Sequence, residues 1–320
     1  MRTRNKDSSA VLARSITRSG SIQTYVTAWM MVDQDLVDDF FRAYAYFRWI
    51  DDVIDISSSS DNERISFISK QRELIDSLYQ NKLLQTLSEE EEMLRDLINH
   101  DRGENSGLQS FIRNMFAIIE FDSYRKGRLI SYDELDWYVN TLGKSVTDGL
   151  LYFIGNDNSY PDMDNRYEAG IAAHITHLLR DMHQDVADGF INIPKEYLET
   201  NSISHNQMDH HAYKDWVRGR VNLAREYFVS GKQYLNSLES LRSKIAGYWY
   251  SARFEVVLDT IENDGYSLRE EYHERRRIST WLKMIWLGIY LTSQHLVRNL
   301  ELDLGKKISR SKKKSPFWKK

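Results

Sequence analysis

The segment HITHLLRDMHQDVADGFINIP, residues His174–Pro194, determines how the rest of this chain is interpreted. Asp181 and Asp185 are four residues apart, a spacing that places two side chains on one helix face, one turn from each other. Leu178 and Leu179 precede the pair, so the acids border an apolar stretch. The segment therefore predicts a helix that presents two carboxylates to one site.

The same spacing occurs earlier, in YAYFRWIDDVID, residues 44–55. Asp51 and Asp55 are four residues apart with Asp52 between them, and they follow a run of aromatic and apolar residues. Carboxylates flanked in this way are expected to be partly buried, and buried charges need a partner or a metal. Two such turns can face each other across a helical bundle and hold Mg²⁺, which takes oxygen ligands and shares them with substrate phosphates.

Either Asp cluster alone is more often a structural or solvated helix face than a catalytic site. The two clusters share their spacing, and an arginine precedes each of them, Arg48 in the first and Arg180 in the second. Fixed guanidinium charges beside metal-binding carboxylates can neutralise a departing diphosphate. The pair of clusters therefore favours a metal–diphosphate site.

The composition indicates a helical protein. The chain has 320 residues with only 3 prolines and 15 glycines, so few residues interrupt helices. Apolar residues recur at helical spacing, and the sequence shows no alternating strand pattern, repeat or Gly-rich linker. These features predict an all-α fold, a single-domain helical bundle with its polar site inside.

Composition also excludes several classes of function. The chain has no cysteine, which removes disulfides, thiolate metal ligands and a cysteine nucleophile. A net charge of −4 gives no reason to expect nucleic acid as a partner. The sequence contains neither a signal peptide nor a run of 18 apolar residues. A cytoplasmic protein is the expectation.

The last fifteen residues, KKISRSKKKSPFWKK, differ from the rest of the chain. Eight of these residues are Lys or Arg, with Phe317 and Trp318 among them. We predict a domain over residues 1–305 and a disordered basic tail over 306–320. Two interpretations of the tail stay open, a solvating segment and a peripheral membrane contact, because basic clusters are attracted to anionic lipid head groups.

The two Asp-rich segments resemble the paired motifs of the squalene/phytoene synthase family, YAFCRxxDDxxD and NILRDxxEDxxxGRxYLP. The chain has YAYFRWIDDVID and HLLRDMHQDVADGFINIP at these places. The resemblance covers about residues 14 to 290 and includes SFIRNMFAIIEFDSYRKGRLISYDELDWYVNTLG and ARFEVVLDTIENDGYSL. It implies the all-α isoprenoid synthase bundle with a central active-site cavity.

The resemblance also implies an activity, the Mg²⁺-dependent head-to-head condensation of two allylic prenyl diphosphates, farnesyl or geranylgeranyl diphosphate. The product would be a squalene- or phytoene-type hydrocarbon, formed through a cyclopropyl diphosphate intermediate with release of diphosphate. The implied metal ligands are Asp51, Asp55, Asp181 and Asp185. The residues expected to act in catalysis are Arg48, Tyr138 and Arg180, and those expected to bind substrate are Thr24, Tyr25, Tyr44, Asp52, His177 and Phe254.

A carbocation in a dry cavity needs apolar or π-rich walls, and Tyr25, Tyr44, Tyr138 and Phe254 are candidates for them. Taken singly, each of these aromatic residues is more often an ordinary core residue. A reductive last step would require NADPH, and no Rossmann-type glycine motif indicates that the chain binds it.

Several positions depart from the family pattern. Ile22-Gln23-Thr24-Tyr25 corresponds to the motif SxSF, and Leu142–Thr147 corresponds to VAGxVG. His177 stands where the family has Asn, and Phe254 stands where it often has Tyr. These changes leave open the alternative of a class I terpene cyclase acting on a single prenyl diphosphate. A separate alternative is a non-catalytic relative that scaffolds an assembly at a membrane.

Three histidines lie close together in the second motif region, His174, His177 and His183. A zinc site would need a third ligand with suitable geometry, which the spacing does not provide. We therefore expect these histidines to lie at the surface or to form hydrogen bonds.

Overall fold

A computed structural model describes residues 7–55, 61–82, 86–101, 103, 105–155, 160–274 and 278–313. This part of the chain forms twelve α-helices and one short 3₁₀ helix, with a single isolated bridge between Leu129 and Ile191. The all-α prediction is confirmed. The helices are α1 (Asp7–Gly20), α2 (Ile22–Met31), α3 (Val37–Asp55), α4 (Asp61–Tyr79), α5 (Glu89–Asn99), α6 (Gly107–Arg125), α7 (Tyr132–Phe153), α8 (Glu168–Ala187), α9 (Lys195–Thr200), α10 (His211–Ser237), α11 (Leu241–Asn263) and α12 (Ile278–Lys313).

Serine side chains define where several helices begin. In each case the hydroxyl oxygen accepts a hydrogen bond from a backbone N–H three residues later, which the helix itself leaves without a partner. Glu91 and Glu134 complete reciprocal capping boxes at α5 and α7. The capping serines are Ser21, Ser88, Ser106, Ser131 and Ser240.

Two large apolar clusters form the core. The first combines buried residues of α1 to α6 with the C-terminal end of α7, and Phe41 and Tyr46 lie at its centre without exposure to solvent. The second combines α7 to α11 with part of α6, and it contains Met182 and Phe228. Because α6 and α7 contribute to both clusters, they join the two halves of the molecule.

Helix α8, which carries the second Asp pair, packs between α7, α10 and α11. Glycines on the neighbouring helices allow this close packing. A Cβ atom on Gly143 of α7 would lie 2.7 Å from the backbone nitrogen of Ile171, and one on Gly231 of α10 would lie 2.8 Å from the Cα atom of Ala169. Helix α8 is therefore held in position by close contact of its backbone with α7 on one side and α10 on the other.

Helix α12 packs on α11 along one side only. Met284 and Leu291 are buried, and the indole N–H of Trp249 donates a hydrogen bond to the Met284 carbonyl, with 2.8 Å between nitrogen and oxygen. Within the described residues no helix combines the length and apolarity needed to cross a membrane. The boundary predicted after residue 305 stays a prediction, and residues 314–320 of the predicted tail lie outside the described part of the chain.

Candidate active site

The acidic pair of the second motif lies on α8 as the sequence predicts. Asp181 is held by two neighbours, the guanidinium of Arg180 and the Nε2 atom of His177, which lies 2.8 Å from the carboxylate. Burial raises the pKa of Asp181, but the hydrogen bonds from Arg180 and His177 outweigh it and hold that pKa well below its usual value. Asp181 is therefore an ionised carboxylate in a fixed orientation.

Asp185, one turn further along α8, has the opposite electrostatic behaviour. Burial raises its pKa to about 7, and the negative charge of Asp181 contributes to the rise. Its carboxylate accepts a hydrogen bond from the Asn192 side chain, with 2.7 Å between Nδ2 and the carboxylate oxygen. Asp181 is therefore ionised near neutral pH, whereas Asp185 is in part protonated there.

A buried network of hydrogen bonds reaches Asp185 through Asn192. The Asn192 side-chain oxygen accepts a hydrogen bond from Arg125, with 2.8 Å between the atoms, and Arg125 donates in turn to Asp122 at 2.5 Å. Arg125 and Asn192 are both almost completely buried. Tyr138 on α7 donates to the other oxygen of Asp122 at 3.0 Å. This network links α6, α7 and the segment after α8 to the acidic pair.

Tyr138, a predicted catalytic residue and cavity wall, belongs to that network. Its ring lies against Arg125, whose guanidinium carbon is 4.7 Å from the ring centre. Burial raises the pKa of the Tyr138 hydroxyl well above its usual value, so the group remains a protonated donor to Asp122. One face of this ring is therefore already occupied by a cation of the protein itself.

The first motif lies at the C-terminal end of α3. Arg48 forms an ion pair with Asp52 one turn later, with 2.7 Å between Nη2 and Oδ1, and both side chains are about half exposed. Asp51 is partly buried. The side chain of Asp55, the fourth predicted metal ligand, lies outside the described side chains.

The C-terminal end of α1 lies next to the first Asp cluster. Gly20 approaches Tyr44 and Arg48 so closely that an added Cβ atom would lie 3.4 Å from the Tyr44 hydroxyl oxygen. Burial raises the pKa of Tyr44, whereas the charge of Arg48 lowers it. Three predicted residues, Tyr44, Arg48 and Asp52, are thus neighbours on consecutive turns of α3.

Thr24 and Tyr25 are the predicted substrate-binding residues of α2. The backbone N–H and the hydroxyl of Thr24 both donate to the Ser21 side-chain oxygen, at 3.2 and 2.9 Å. Tyr25 stacks on Phe41 with 5.2 Å between ring centres and packs against the first core cluster. In this structure Thr24 serves the helix cap and Tyr25 serves packing.

His177 and Phe254, two predicted substrate-binding residues, lie next to each other on α8 and α11. Their ring centres are 6.3 Å apart, and Phe254 makes an edge contact with Tyr250 at 5.1 Å. Phe254 is buried, whereas the His177 side chain is about half exposed. The structure therefore gathers His177, Arg180, Asp181, Asp185 and Phe254 into one half-site.

His174 differs from the sequence-based expectation for the histidines. It is buried, and neither ring nitrogen has a hydrogen-bond partner among the described residues. Burial lowers its pKa to about 3, so the imidazole is neutral. His174 lies one turn before His177 and two turns before Asp181, on the same face of α8. A buried polar ring without a hydrogen-bond partner costs stability.

The altered segment Leu142–Thr147 lies in α7, beside α8. Gly143 is buried and makes the close approach to Ile171, whereas Lys144 is exposed. An added Cβ atom on Gly170 of α8 would lie 2.8 Å from the Thr147 hydroxyl oxygen. The departure from the family pattern therefore changes the packing surface that α7 offers to α8.

Comparison with curated proteins identifies relatives over about half of the chain. A 15-cis-phytoene synthase of Synechocystis is 26% identical over 193 residues, which are 55% of this chain and 56% of that protein. A phytoene synthase of Arthrospira platensis is 24% identical over 199 residues, which are 55% of this chain and 61% of that protein. The chain therefore aligns with little more than half the length of these relatives.

Solved structures share the fold. A squalene synthase from Alicyclobacillus acidocaldarius superposes with a TM-score of 0.66 at 18% identity, covering 82% of this chain and 95% of that one. A dehydrosqualene synthase superposes with a TM-score of 0.59 at 12% identity, covering 89% and 96%. The predicted isoprenoid synthase bundle is thereby confirmed.

The family model described as squalene/phytoene synthase matches residues 18–281. This range contains both Asp-rich motifs and the helices from α2 to α11. The chain belongs to the squalene/phytoene synthase family.

Proposed function

We propose that this chain is a Mg²⁺-dependent prenyltransferase that joins two allylic prenyl diphosphates head to head. The observation that carries the proposal is the acidic pair on α8, where Asp181 is ionised between Arg180 and His177 and Asp185 is held by Asn192. Family membership supports the reaction class, and the names of the curated relatives support a phytoene-type product.

The residues present fit Mg²⁺. No group of three or more His, Asp and Glu side chains converges within the described region, which excludes the Asp55 side chain. Mg²⁺ is usually held by one or two carboxylates together with water and substrate phosphates, so two half-sites of this kind suit it. The raised pKa of Asp185 arises partly from Asp181, a repulsion that a divalent cation would relieve. Asp51 and Asp55 would hold Mg²⁺ in the other half-site.

Bound Mg²⁺ would supply positive charge to the departing diphosphate. Arg180 and Arg48 would add fixed charge at the two acidic clusters, and His177 would donate to a phosphate oxygen. Asn192 and Arg125 would keep Asp185 in place, because each forms a buried hydrogen bond in the chain that leads to it.

The reaction would proceed in two ionisations. The first breaks the bond between C1 and oxygen of one substrate, and the bonding electrons leave with diphosphate. The double bond of the second substrate attacks the resulting allylic cation, and loss of a proton closes a cyclopropane ring. A second ionisation releases the remaining diphosphate, and the cation rearranges. Loss of a proton from the rearranged cation would give a phytoene-type product, and transfer of a hydride from NADPH would give a squalene-type product. Phe254 and Tyr250 would provide aromatic walls beside His177.

The altered segment Leu142–Thr147, which packs beside α8, favours a second candidate, a terpene cyclase acting on a single prenyl diphosphate. His174 places a neutral imidazole without a partner on the same face of α8 as Asp181, deeper in the helix bundle. A neutral imidazole there could accept the proton that a carbocation loses in either reaction. Products distinguish the two candidates.

The test uses the full chain with Mg²⁺ and farnesyl or geranylgeranyl diphosphate, followed by identification of the extracted hydrocarbons. A head-to-head C30 or C40 product supports the proposal, and a cyclised C15 or C20 product supports the cyclase. Parallel reactions with and without NADPH show whether the last step is reductive. No turnover of any substrate would contradict both enzymes and favour a non-catalytic relative.

We predict that Asp181→Asn abolishes turnover, because the ionised carboxylate between Arg180 and His177 is lost while the helix remains intact. Product formation by radiolabel extraction and helix content by circular dichroism measure the two effects. Asp188→Asn, an exposed change at the residue that follows the end of the same helix, is the matched control and should retain activity. Turnover in Asp181→Asn close to that of the unaltered chain would refute the assignment.

A further inference from the structure

A row of large apolar side chains lies exposed on α12. These residues recur at intervals of four along the helix, so they form one stripe. Each of them is between 47% and 70% exposed. The stripe consists of Trp281, Leu282, Ile285, Trp286, Ile289 and Tyr290. Monomeric soluble proteins rarely expose contiguous apolar surface of this kind, and where they do it marks a binding surface.

The opposite side of α12 fixes the direction in which this stripe faces. Met284 and Leu291 are buried against the rest of the protein, and the Met284 carbonyl accepts the hydrogen bond from Trp249 of α11. Gly288 also faces Trp249, since an added Cβ atom would lie 3.3 Å from its ring. The helix cannot rotate the stripe inward without breaking these contacts. The apolar residues therefore remain available to a partner.

Charge along the sequence indicates the chemistry of that partner. Residues 278–297 contain one charged side chain, Lys283, so the stripe is nearly uncharged. Residues 306–320 carry eight Lys or Arg and no acid, a net charge of +8 in a chain whose total is −4, so the remaining 305 residues carry −12. An anionic surface would attract the C-terminal end of the molecule and repel the rest, which orients α12 towards it.

We infer that the α12 stripe docks on an anionic lipid bilayer, with α12 lying parallel to the membrane in the head-group region. Trp and Tyr suit this depth because their rings are apolar and their N–H and O–H groups remain hydrated. Exposed Leu and Ile side chains would enter the acyl boundary, as in interfacial amphipathic helices. The inference does not depend on the proposed reaction.

Vesicle sedimentation of the full chain tests this inference. The chain should bind vesicles that contain phosphatidylglycerol, bind phosphatidylcholine vesicles more weakly, and lose binding as salt rises. Trp286→Ser combined with Ile289→Ser should weaken binding at least tenfold, since burial of one large apolar side chain contributes more than a tenfold change in affinity. Val229→Ser, at a 67% exposed position on α10, is the matched control and should bind normally.

Tryptophan quenching by brominated lipids gives a second measurement. Bound protein should be quenched. In a Trp318→Phe background, which removes the tryptophan of the basic tail, Trp281→Phe with Trp286→Phe should remove most of the quenching. Trp137→Phe, at an exposed position on α7, should leave it unchanged. Equal vesicle binding by the serine variant and the unaltered chain would overturn the inference. A second result would also overturn the inference. The unaltered chain would be a dimer and the serine variant a monomer in size-exclusion chromatography with light scattering, and neither would bind vesicles. A second copy of the chain would then cover the stripe.

Discussion

Asn192 shows how one neutral side chain holds two charged groups of opposite sign. It is 1% exposed, donates to Asp185 and accepts from Arg125. An amide can serve both neighbours because it has a donor and an acceptor, whereas an ionised carboxylate only accepts and a guanidinium only donates. The orientation of Asp185 therefore depends on an uncharged residue that lies seven positions further along the chain.

We predict that Asn192→Ala lowers the free energy of unfolding by about 2 kcal/mol, because it leaves a buried guanidinium and a carboxylate each short of one partner. Turnover should also fall, since Asp185 loses its fixed orientation. Denaturant unfolding and product formation measure the two effects. Asn201→Ala, which removes a hydrogen bond to the Tyr197 carbonyl outside the site, is the control and should leave turnover unchanged. Normal turnover in Asn192→Ala would assign the network a structural role only.

The residues of the site differ in how well the sequence predicts them. The acidic pair on α8 and the ion-paired arginines follow from spacing along one helix, which is a local property. The bond between Arg125 and Asn192 joins residues 67 positions apart, and no local pattern indicates it. The burial of His174 depends on how closely α7 and α10 approach α8, which Gly143 and Gly231 determine. Close packing of this kind depends on tertiary structure.

At the scale of elements, α7 has a well-defined start that positions Tyr138 and the altered segment. Ser131 accepts from the Glu134 N–H, and the Glu134 carboxylate accepts from the Ser131 N–H at 2.8 Å. Arg128 pairs with the same carboxylate at 2.7 Å. Hydrogen bonding to Arg128 is the main cause that lowers the pKa of Glu134 to about 2. The capping box therefore stabilises α7 through an ionised carboxylate.

We predict that Ser131→Ala destabilises the chain by about 1 kcal/mol, the usual cost of losing an N-cap. Glu134→Gln should be destabilising at neutral pH, with an effect that shrinks as the pH falls from about 4.5 towards 2. A carboxylate whose pKa is lower in the folded state than in the unfolded state stabilises the folded state at pH values above its ordinary pKa. As the pH falls and Glu134 is protonated, this stabilisation is lost. Urea unfolding at several pH values measures it. Asp133→Asn, an exposed change in the same turn, is the control.

At the scale of the whole molecule, the two acidic clusters belong to different halves of the core. Residues around Asp51, such as Ile50 and Ile54, pack in the first apolar cluster, whereas Leu179 and Met182 beside Asp181 pack in the second. Helices α6 and α7 join these halves. The sequence predicts both clusters and their helices, but it does not show that each one is supported by a separate core.

A ligand that spans both half-sites should therefore stabilise the molecule as a whole. We predict that Mg²⁺ with inorganic diphosphate raises the melting temperature by several degrees, since a ligand at 100 times its Kd adds about 2.7 kcal/mol. Asp51→Asn and Asp181→Asn should each abolish most of the shift, because either half-site alone offers too few ligands. Asp209→Asn, an exposed acid outside both clusters, should retain it. If either site variant kept the full shift, the diphosphate would be held by one half of the molecule, and the two clusters would not act on a common ligand.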